Sequence, residues 1–278
     1  MPDLLSVSVK LFADDCIIYH EVNSPDDALL LQSNLNRVFE WSTKWSLPLK
    51  ISKTNHLPVH HKSHPFISNY SLNSLPINTV SSCKYLGLTF TTNMNWNLHV
   101  SNVIKTAKFK LFYLRRRLKY STPNIRLLCY KSFILPLLLY GSEIWDPFTL
   151  SNIMALESIQ NKAARFISNN WSRTHSISSI KDSLSLKPLS VIRKIHRLTL
   201  LFKFHHQLSN FLPDSLLVPA PYFSSRVNHQ DKLSPIFANS NPFKYSFFPR
   251  TINEWNSLNS DIISTPNITS FKNALLNI

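Results

Sequence analysis

The sequence predicts an α+β protein in three parts: a mixed part over residues 1–92, a helical part over 93–170, and a helical and irregular part over 171–278. Three observations predict it. Two apolar, β-favouring segments between Val7 and Tyr19 flank Ala13-Asp14-Asp15, the pattern of a β-hairpin with an acidic tip. Pro48, Pro58, Pro65 and Pro76 then forbid any long helix across the stretch 47–92, which reads as short strands and turns. From Trp96 onward, apolar residues recur at spacings of three and four, the period of helices with one buried face.

Each element follows in order. After the hairpin, Ser24 is a good N-cap, Pro25 suits the first helical position, and Asp26 and Asp27 sit in the dipole-favoured first turn. Ala28, Leu31, Leu35, Val38, Ser42 and Trp45 form one inward stripe of that helix. Leu57 and Val59 alternate with polar neighbours, and Cys83 to Phe90 reads as a stronger strand with Gly87 at a bend or close backbone approach. The next helix presents Val100, Val103, Ala107, Leu111, Leu114 and Leu118 inward and is rich in Lys and Arg elsewhere. Thr122-Pro123 starts a second helix, kinked or ended near Pro136 and Gly141. A third spans about Ser151 to Ile167, and a fourth follows Pro188 with Leu189, Ile192, Ile195, Thr199 and Phe202 on one face. Residues 209–249 read as irregular, and a short helix near Ser270 to Leu276 closes the chain. The many Trp and Phe residues read as core.

Composition narrows the function. Two glycines in 278 residues, Gly87 and Gly141, exclude a Gly-rich phosphate loop and a dinucleotide fingerprint, since average usage would supply about twenty. The formal charge of +15 is unevenly spread. Residues 1–40 carry 7 acids and 2 bases, 41–142 carry 14 bases and no acid, and 143–278 carry 14 bases and 8 acids. A window of that length without one carboxylate points to a polyanionic partner, nucleic acid or an anionic membrane surface, beside the plain reading of compositional drift. Cys16, Cys83 and Cys129 are odd in number and far apart, which suits a reducing compartment and suggests neither a disulfide framework nor a zinc site. His56, His60, His61 and His64 lack a cysteine pair or ordered ligand spacing. No run approaches the ~18 apolar residues that span a bilayer, and the N-terminus lacks the basic start and apolar core of a signal peptide. An intracellular protein with no membrane partner is expected, in the nucleus and/or the cytoplasm and not secreted.

Two adjacent carboxylates at a hairpin tip repel each other, and a hard divalent cation beside them lowers the cost of keeping both ionised. The plain alternative is an ordinary turn, where Asp is favoured anyway. The surrounding blocks favour the first reading. Phe12-Ala13-Asp14-Asp15 between apolar strands resembles the catalytic aspartate hairpin of reverse transcriptases. Trp41, Trp45, Leu47, Leu49, Lys53 and Thr54 resemble the palm block that follows it, and Lys84-Tyr85-Leu86-Gly87 resembles the primer-grip block. Ser132 to Trp145, then Leu156 to Arg165, resemble the helical region behind the polymerase of non-LTR retrotransposons of the jockey kind, and Phe248 to Asn256 resembles the end of those reading frames. These blocks occur in one order and cover nearly the whole chain.

The resemblance implies a partial palm over 1–92, a helical thumb-like region over 93–170 and a C-terminal extension over 171–278. The implied chemistry is Mg²⁺- or Mn²⁺-dependent transfer of a nucleotide to a primer 3′-hydroxyl, with an RNA template and a DNA primer as partners. Asp14 and Asp15 are the implied metal ligands. Lys53 lies near the incoming nucleotide as general acid, and Tyr85, Leu86 and Gly87 position the primer end. Lys105, Lys108, Arg115, Arg116 and Lys119 track the duplex backbone; the plain reading of this helix is a solvated face, and Arg115, Arg116 and Arg117 cannot all face one groove. Lys50 stands where the palm block usually has Asn, and Phe12 where Tyr is commoner. Fingers and a palm strand with another metal-binding Asp normally precede the hairpin, while 13 residues precede Asp14 here. The expectation is a C-terminal fragment, inactive without its N-terminal polymerase half; the alternatives are a nucleic-acid-binding module without catalysis and a retroelement relic without function.

Overall fold

A computed structural model describes residues 5–62, 65–172, 174–209, 216–221 and 230–277. The chain forms two compact units, one ending at Asn95 and one beginning at Trp96.

In the first unit, β1 (Ser8–Phe12) and β2 (Asp15–Tyr19) form an antiparallel hairpin with Phe12 opposite Asp15. Helix α1 (Pro25–Lys44) starts with a complete capping box, in which Ser24 and Asp27 satisfy each other's backbone N–H groups. Its Ala28, with Leu31 and Leu35 beside it, packs on a small core of Tyr70, Leu72 and Ile77. Trp45 departs from the expected inward stripe: it lies at the C-cap, past the last helical turn, and is 61% exposed.

Short paired segments fill the remainder. β3 (Asn55–His56) runs parallel to β6 (Asn78–Thr79), and β4 (Ser71–Leu72) pairs with β5 (Leu75–Pro76). Leu57 and Val59 lie outside any strand, and Val59 is exposed. The segment expected as one strand over Cys83 to Phe90 is instead a hairpin, β7 (Ser82–Tyr85) and β8 (Leu88–Thr91), turning at Leu86-Gly87. Both turn residues have positive φ, 45° and 83°. Two-residue turns of this twist need that geometry at both positions, and Gly87 supplies it without the steric cost a Cβ would bring.

The second unit is helical. Helix α2 (Asn97–Arg117) packs on α3 (Pro123–Phe133), α4 (Leu135–Leu139) and α6 (Leu150–Ser168). The expected break falls at Ile134, just before Pro136, and again at Gly141, whose φ of 61° opens the short α5 (Ser142–Trp145). Helix α6 also contacts α7 (Ile177–Ser183) and α8 (Leu189–His205).

Of the stretch 209–249, residues 210–215 and 222–229 lie outside the described residues, and the rest is only partly as expected. Within it, Pro219 and Leu233 form an isolated antiparallel bridge, and two helices begin: α9 (Asn241–Lys244) and α10 (Phe247–Asn256). Pro249 is tolerated in the first turn of α10, where the lost N–H had no helical partner. Then come α11 (Ser260–Ile263) and α12 (Ile268–Leu276). Leu198, Leu201 and Phe202 of α8 meet Ile252 and Trp255 of α10 and Phe271 of α12 in a buried cluster. Truncating one such side chain to Ala costs about 2–5 kcal/mol. Among the described residues no helix is long and apolar enough to cross a membrane. Residues 1–4 and His64 lie outside the described residues.

Candidate catalytic hairpin and nucleic-acid interface

The β1–β2 register decides what surrounds the aspartates. Ser8, Lys10 and Phe12 face Tyr19, Ile17 and Asp15 across the ladder, so Asp15 shares a face with Phe12, Ile17 and Tyr19. That face is exposed, with Phe12 at 62%. The other carries Val9 and Ile18, both half-buried, in phase with the buried Val7. The hairpin base is tied to α1 by Asn34, fully buried: its Oδ1 accepts from Ser6 N–H at 2.9 Å, and its Nδ2 donates to Ser6 Oγ at 3.0 Å.

Asp14 sits in the turn and Asp15 opens β2, and both are exposed. Ala13 reaches the turn at φ 51°, a left-handed conformation costing roughly 1–2 kcal/mol in a residue with a Cβ. Strained non-glycine tips of this kind concentrate at functional sites. The carboxylate oxygens are hard donors, and Mg²⁺ is commonly held by one or two carboxylates together with substrate phosphates. The Asp14–Asp15 pair fits that mode. Among the described residues no group of three or more His, Cys, Asp or Glu is assembled, so the donors form an open pair, not a closed cage.

Lys53 closes a single 3₁₀ turn, Ile51–Lys53, and is exposed. Ile51 packs against the α1 core, which anchors the turn. Tyr85, Leu86 and Gly87 form the tip of the β7–β8 hairpin. These three candidate segments belong to the same unit and to separate elements of it.

Lys105, Lys108, Arg115 and Arg116 lie on α2, with Lys119 just beyond it, and all five are exposed. Arg115, Arg116 and Arg117 occupy its last turn, where cations complement the helix dipole. The sequence reading missed two features of this surface. Phe109, Phe112, Tyr113 and Tyr120 are 72%, 58%, 53% and 91% exposed, and the two phenylalanines depart from the expectation of core Phe residues. Guanidinium groups cover several rings: Arg115 lies 4.5 Å from the centroid of Trp171, Arg117 5.5 Å from Tyr113 and Arg116 5.8 Å from Phe112. The second feature is Arg126, buried on α3, which donates to the carbonyls of Leu118 at 3.1 Å, Lys119 at 2.7 Å and Phe166 at 3.0 Å. It satisfies acceptors at the end of α2 and near the end of α6 together. The signal for the aromatic face was present in the spacing of residues 109, 112, 113 and 120; the signal for Arg126 was not.

The described residues thus form an α+β protein with an exposed aspartate pair on a hairpin tip in its first unit and an exposed cationic helix in its second. The chain is similar to RNA-directed DNA polymerases of mobile elements, as its ordered motif blocks indicated. In Drosophila melanogaster it is 30% identical over 161 residues to the probable RNA-directed DNA polymerase from transposon X-element, over 56% of this chain and 18% of that protein. It is 26% identical over 174 residues to the probable RNA-directed DNA polymerase from transposon BS, over 61% of this chain and 19% of that one. With the RNA-directed DNA polymerase from mobile element jockey it shares 24% identity over 167 residues, 58% of this chain and 18% of the relative. The chain therefore spans about a fifth of the length of the curated relatives it matches. No family model matches it. No solved structure matches it.

Proposed function

We propose that these 278 residues are the C-terminal part of a non-LTR retrotransposon reverse transcriptase: a partial palm over 1–92, a thumb over 93–170 and an extension over 171–278. The observation that carries this reading is the similarity to three RNA-directed DNA polymerases in a chain whose Phe-Ala-Asp-Asp segment folds as a tight hairpin with both carboxylates exposed. Its partners are an RNA template, a DNA primer and the N-terminal half of the polymerase, and it works inside the cell, in the nucleus and/or the cytoplasm.

In this reading Asp14 and Asp15 hold Mg²⁺ or Mn²⁺. That ion, when bound, supplies charge stabilisation for the attacking 3′-oxygen and the departing pyrophosphate. Lys53 donates a proton to the pyrophosphate oxygen as it leaves. The Tyr85-Leu86-Gly87 turn positions the primer end. Lys105, Lys108, Arg115, Arg116 and Lys119 neutralise duplex phosphates and release counterions.

The test is primer extension on an RNA template with dNTPs and Mg²⁺. In proteins of this kind another metal-binding Asp lies on a palm strand ahead of the hairpin. Synthesis is expected when the 278 residues are joined to fingers and palm from a relative, and not from the 278 residues alone. Asp14→Asn and Asp15→Asn should each abolish it in the joined polypeptide. Undiminished synthesis with both replaced would remove the proposal. The second reading, a nucleic-acid-binding module without catalysis, is favoured by the compactness of the unit from Trp96 onward and its exposed cations. It expects duplex binding that weakens with log salt by roughly 0.9 per phosphate neutralised, with no synthesis in either polypeptide.

A further inference from the structure

Helix α2 carries two apolar stripes where an ordinary surface helix carries one. Ala107, Leu111, Leu114 and Leu118 point inward. At about 100° per residue, Phe109, Phe112 and Tyr113 centre roughly 180° away, on the solvent side, and the exposed Tyr120 lies in the turn just beyond the helix. Lys105 and Arg116 fall within that outer stripe. Lys108 and Arg115 run along one flank, with Lys119 just past the helix end, and Lys110 and Arg117 along the other. No carboxylate occurs anywhere in residues 41–142. An exposed aromatic row bordered on both sides by cations, with no compensating acid, is complementary to a polyanion that also offers flat apolar groups.

The local relief fits the same partner. Between α2 and Trp171 lies an open cleft of about 420 Å³, whose walls include Phe112, Arg115, Arg116, Lys119 and Trp171. A second depression of about 290 Å³ runs over Phe109, Phe112, Tyr113, Arg116 and Arg117. Aromatic rings and guanidinium forks make up most of both walls. Aromatic faces and guanidinium planes are both surfaces on which a base can stack.

We infer that the outer face of α2, with Trp171, is a stacking platform for the unpaired bases of a single nucleic-acid strand. The inference rests on the proposed reading for its partner class and goes beyond it in one respect. Backbone tracking needs only cations, whereas this surface holds bases through Phe112, Tyr113 and Trp171 while the flanking cations hold the phosphates. It places unpaired template or displaced strand, not duplex alone, on this helix. Stacking of this kind tolerates any sequence, because every base has a π-face.

The test is fluorescence anisotropy on the purified 278-residue chain with two labelled probes: an oligoribonucleotide about 16 nucleotides long and an abasic strand of equal length and charge. The base-bearing strand should bind at least about fivefold more tightly than the abasic one. Phe112→Ala and Tyr113→Ala should each remove about fivefold or more from the base-bearing strand and leave the abasic strand unchanged. Both side chains are exposed, so the variants should melt as the parent does; Phe112→Trp should restore affinity. Arg116→Ala with Arg117→Ala should weaken both probes and flatten the salt dependence. Equal affinity for the two probes, with steep salt dependence, overturns the platform and leaves backbone tracking standing. Binding of neither probe overturns both. Docking onto anionic lipid vesicles without oligonucleotide binding, or self-association that Tyr113→Ala abolishes without any oligonucleotide binding, also overturns it.

Discussion

Asp146, immediately after α5, accepts a hydrogen bond through its Oδ1 from Nε of Arg193 on α8 at 2.5 Å, with both side chains buried. Its other oxygen receives Arg197, one turn further along α8. Arg250 of α10 lies 3.3 Å from the same oxygen and donates to the Asp146 carbonyl at 3.0 Å, while Arg197 also reaches both oxygens of Glu254. One carboxylate thus serves three guanidiniums drawn from two distant helices. Burial pulls Arg193 down to about 10, opposed by Glu157, and two of its nitrogens lack a hydrogen-bond acceptor among the described residues.

Asp146→Ala should therefore be among the most damaging substitutions in the second unit. Removing one member of a buried ionic cluster leaves its partners as uncompensated buried charge, at about 3–5 kcal/mol. Glu254→Ala should cost less, because Glu254 is less buried and can exchange its partner for water. Urea melts of the three proteins check this; a loss under about 1 kcal/mol for Asp146→Ala would contradict the cluster's role.

Arg126→Ala should cost about 3 kcal/mol, since charge-assisted bonds to three carbonyls are lost together from a buried position. Arg126→Lys should recover little, because an ammonium cannot reproduce the planar fork that spans Leu118, Lys119 and Phe166. Loosening the end of α2 would also disorder Arg115 and Arg116, so oligonucleotide affinity should fall with stability. Thermal melting and anisotropy on the same samples test both effects.

These clusters mark the limit of what the sequence discloses. Helix α1 was legible because Ser24, Pro25 and Asp27 act locally, and α6 and α8 because their stripes repeat every three to four residues. Arg126, Arg193 and Asp146 look like solvated charges: Arg193 and Asp146 are 47 residues apart, and Arg126 binds backbone carbonyls, which no residue type advertises, one of them 40 residues away. The β7–β8 hairpin escaped notice because Leu86 is not a turn residue. The outer face of α2 escaped because aromatic residues are usually buried, and here a second stripe of them is not. For the aspartate pair, the motif and the hairpin were readable together, since both are local.

Leu86 stands at φ 45°, where a branched side chain is disfavoured, and occupies the first position of a turn that prefers Asn. The neighbouring β4–β5 turn has Asn73 and Ser74 at φ 49° and 60°, a cheaper solution to the same geometry. Leu86→Asn should stabilise the first unit by up to about 1 kcal/mol, less what the half-buried leucine contributes by packing. Gly87→Ala should destabilise it by a similar amount. Opposite shifts in urea midpoint are the expected result; shifts of the same sign would show that packing, not backbone strain, governs this tip.

His56 gives the first unit a pH dependence. Its Nδ1 lies 3.2 Å from Thr79 Oγ1, and its ring meets Tyr70 edge-on at 4.8 Å. Burial lowers its pKa below the ordinary 6.5, because the charged ring would lose hydration there. As pH falls through about 6.5, the unfolded chain takes up a proton that the folded chain refuses, so the unfolded state binds more protons and stability drops. The loss continues until pH passes the folded value and then levels off. His196 in the second unit acts with the same sign, lowered first by burial and partly opposed by Glu143. Asp27 is held below its usual range by hydrogen bonds from Ser24 and Asn23, so its contribution disappears only as pH falls below about 4. His56→Phe keeps the ring against Tyr70 and cannot titrate. It should be relatively more stable than the parent at about pH 5 than at about pH 7.5, with the difference read from paired urea melts. A parent whose first unit melts identically at both values would show that His56 is free to take its proton in place.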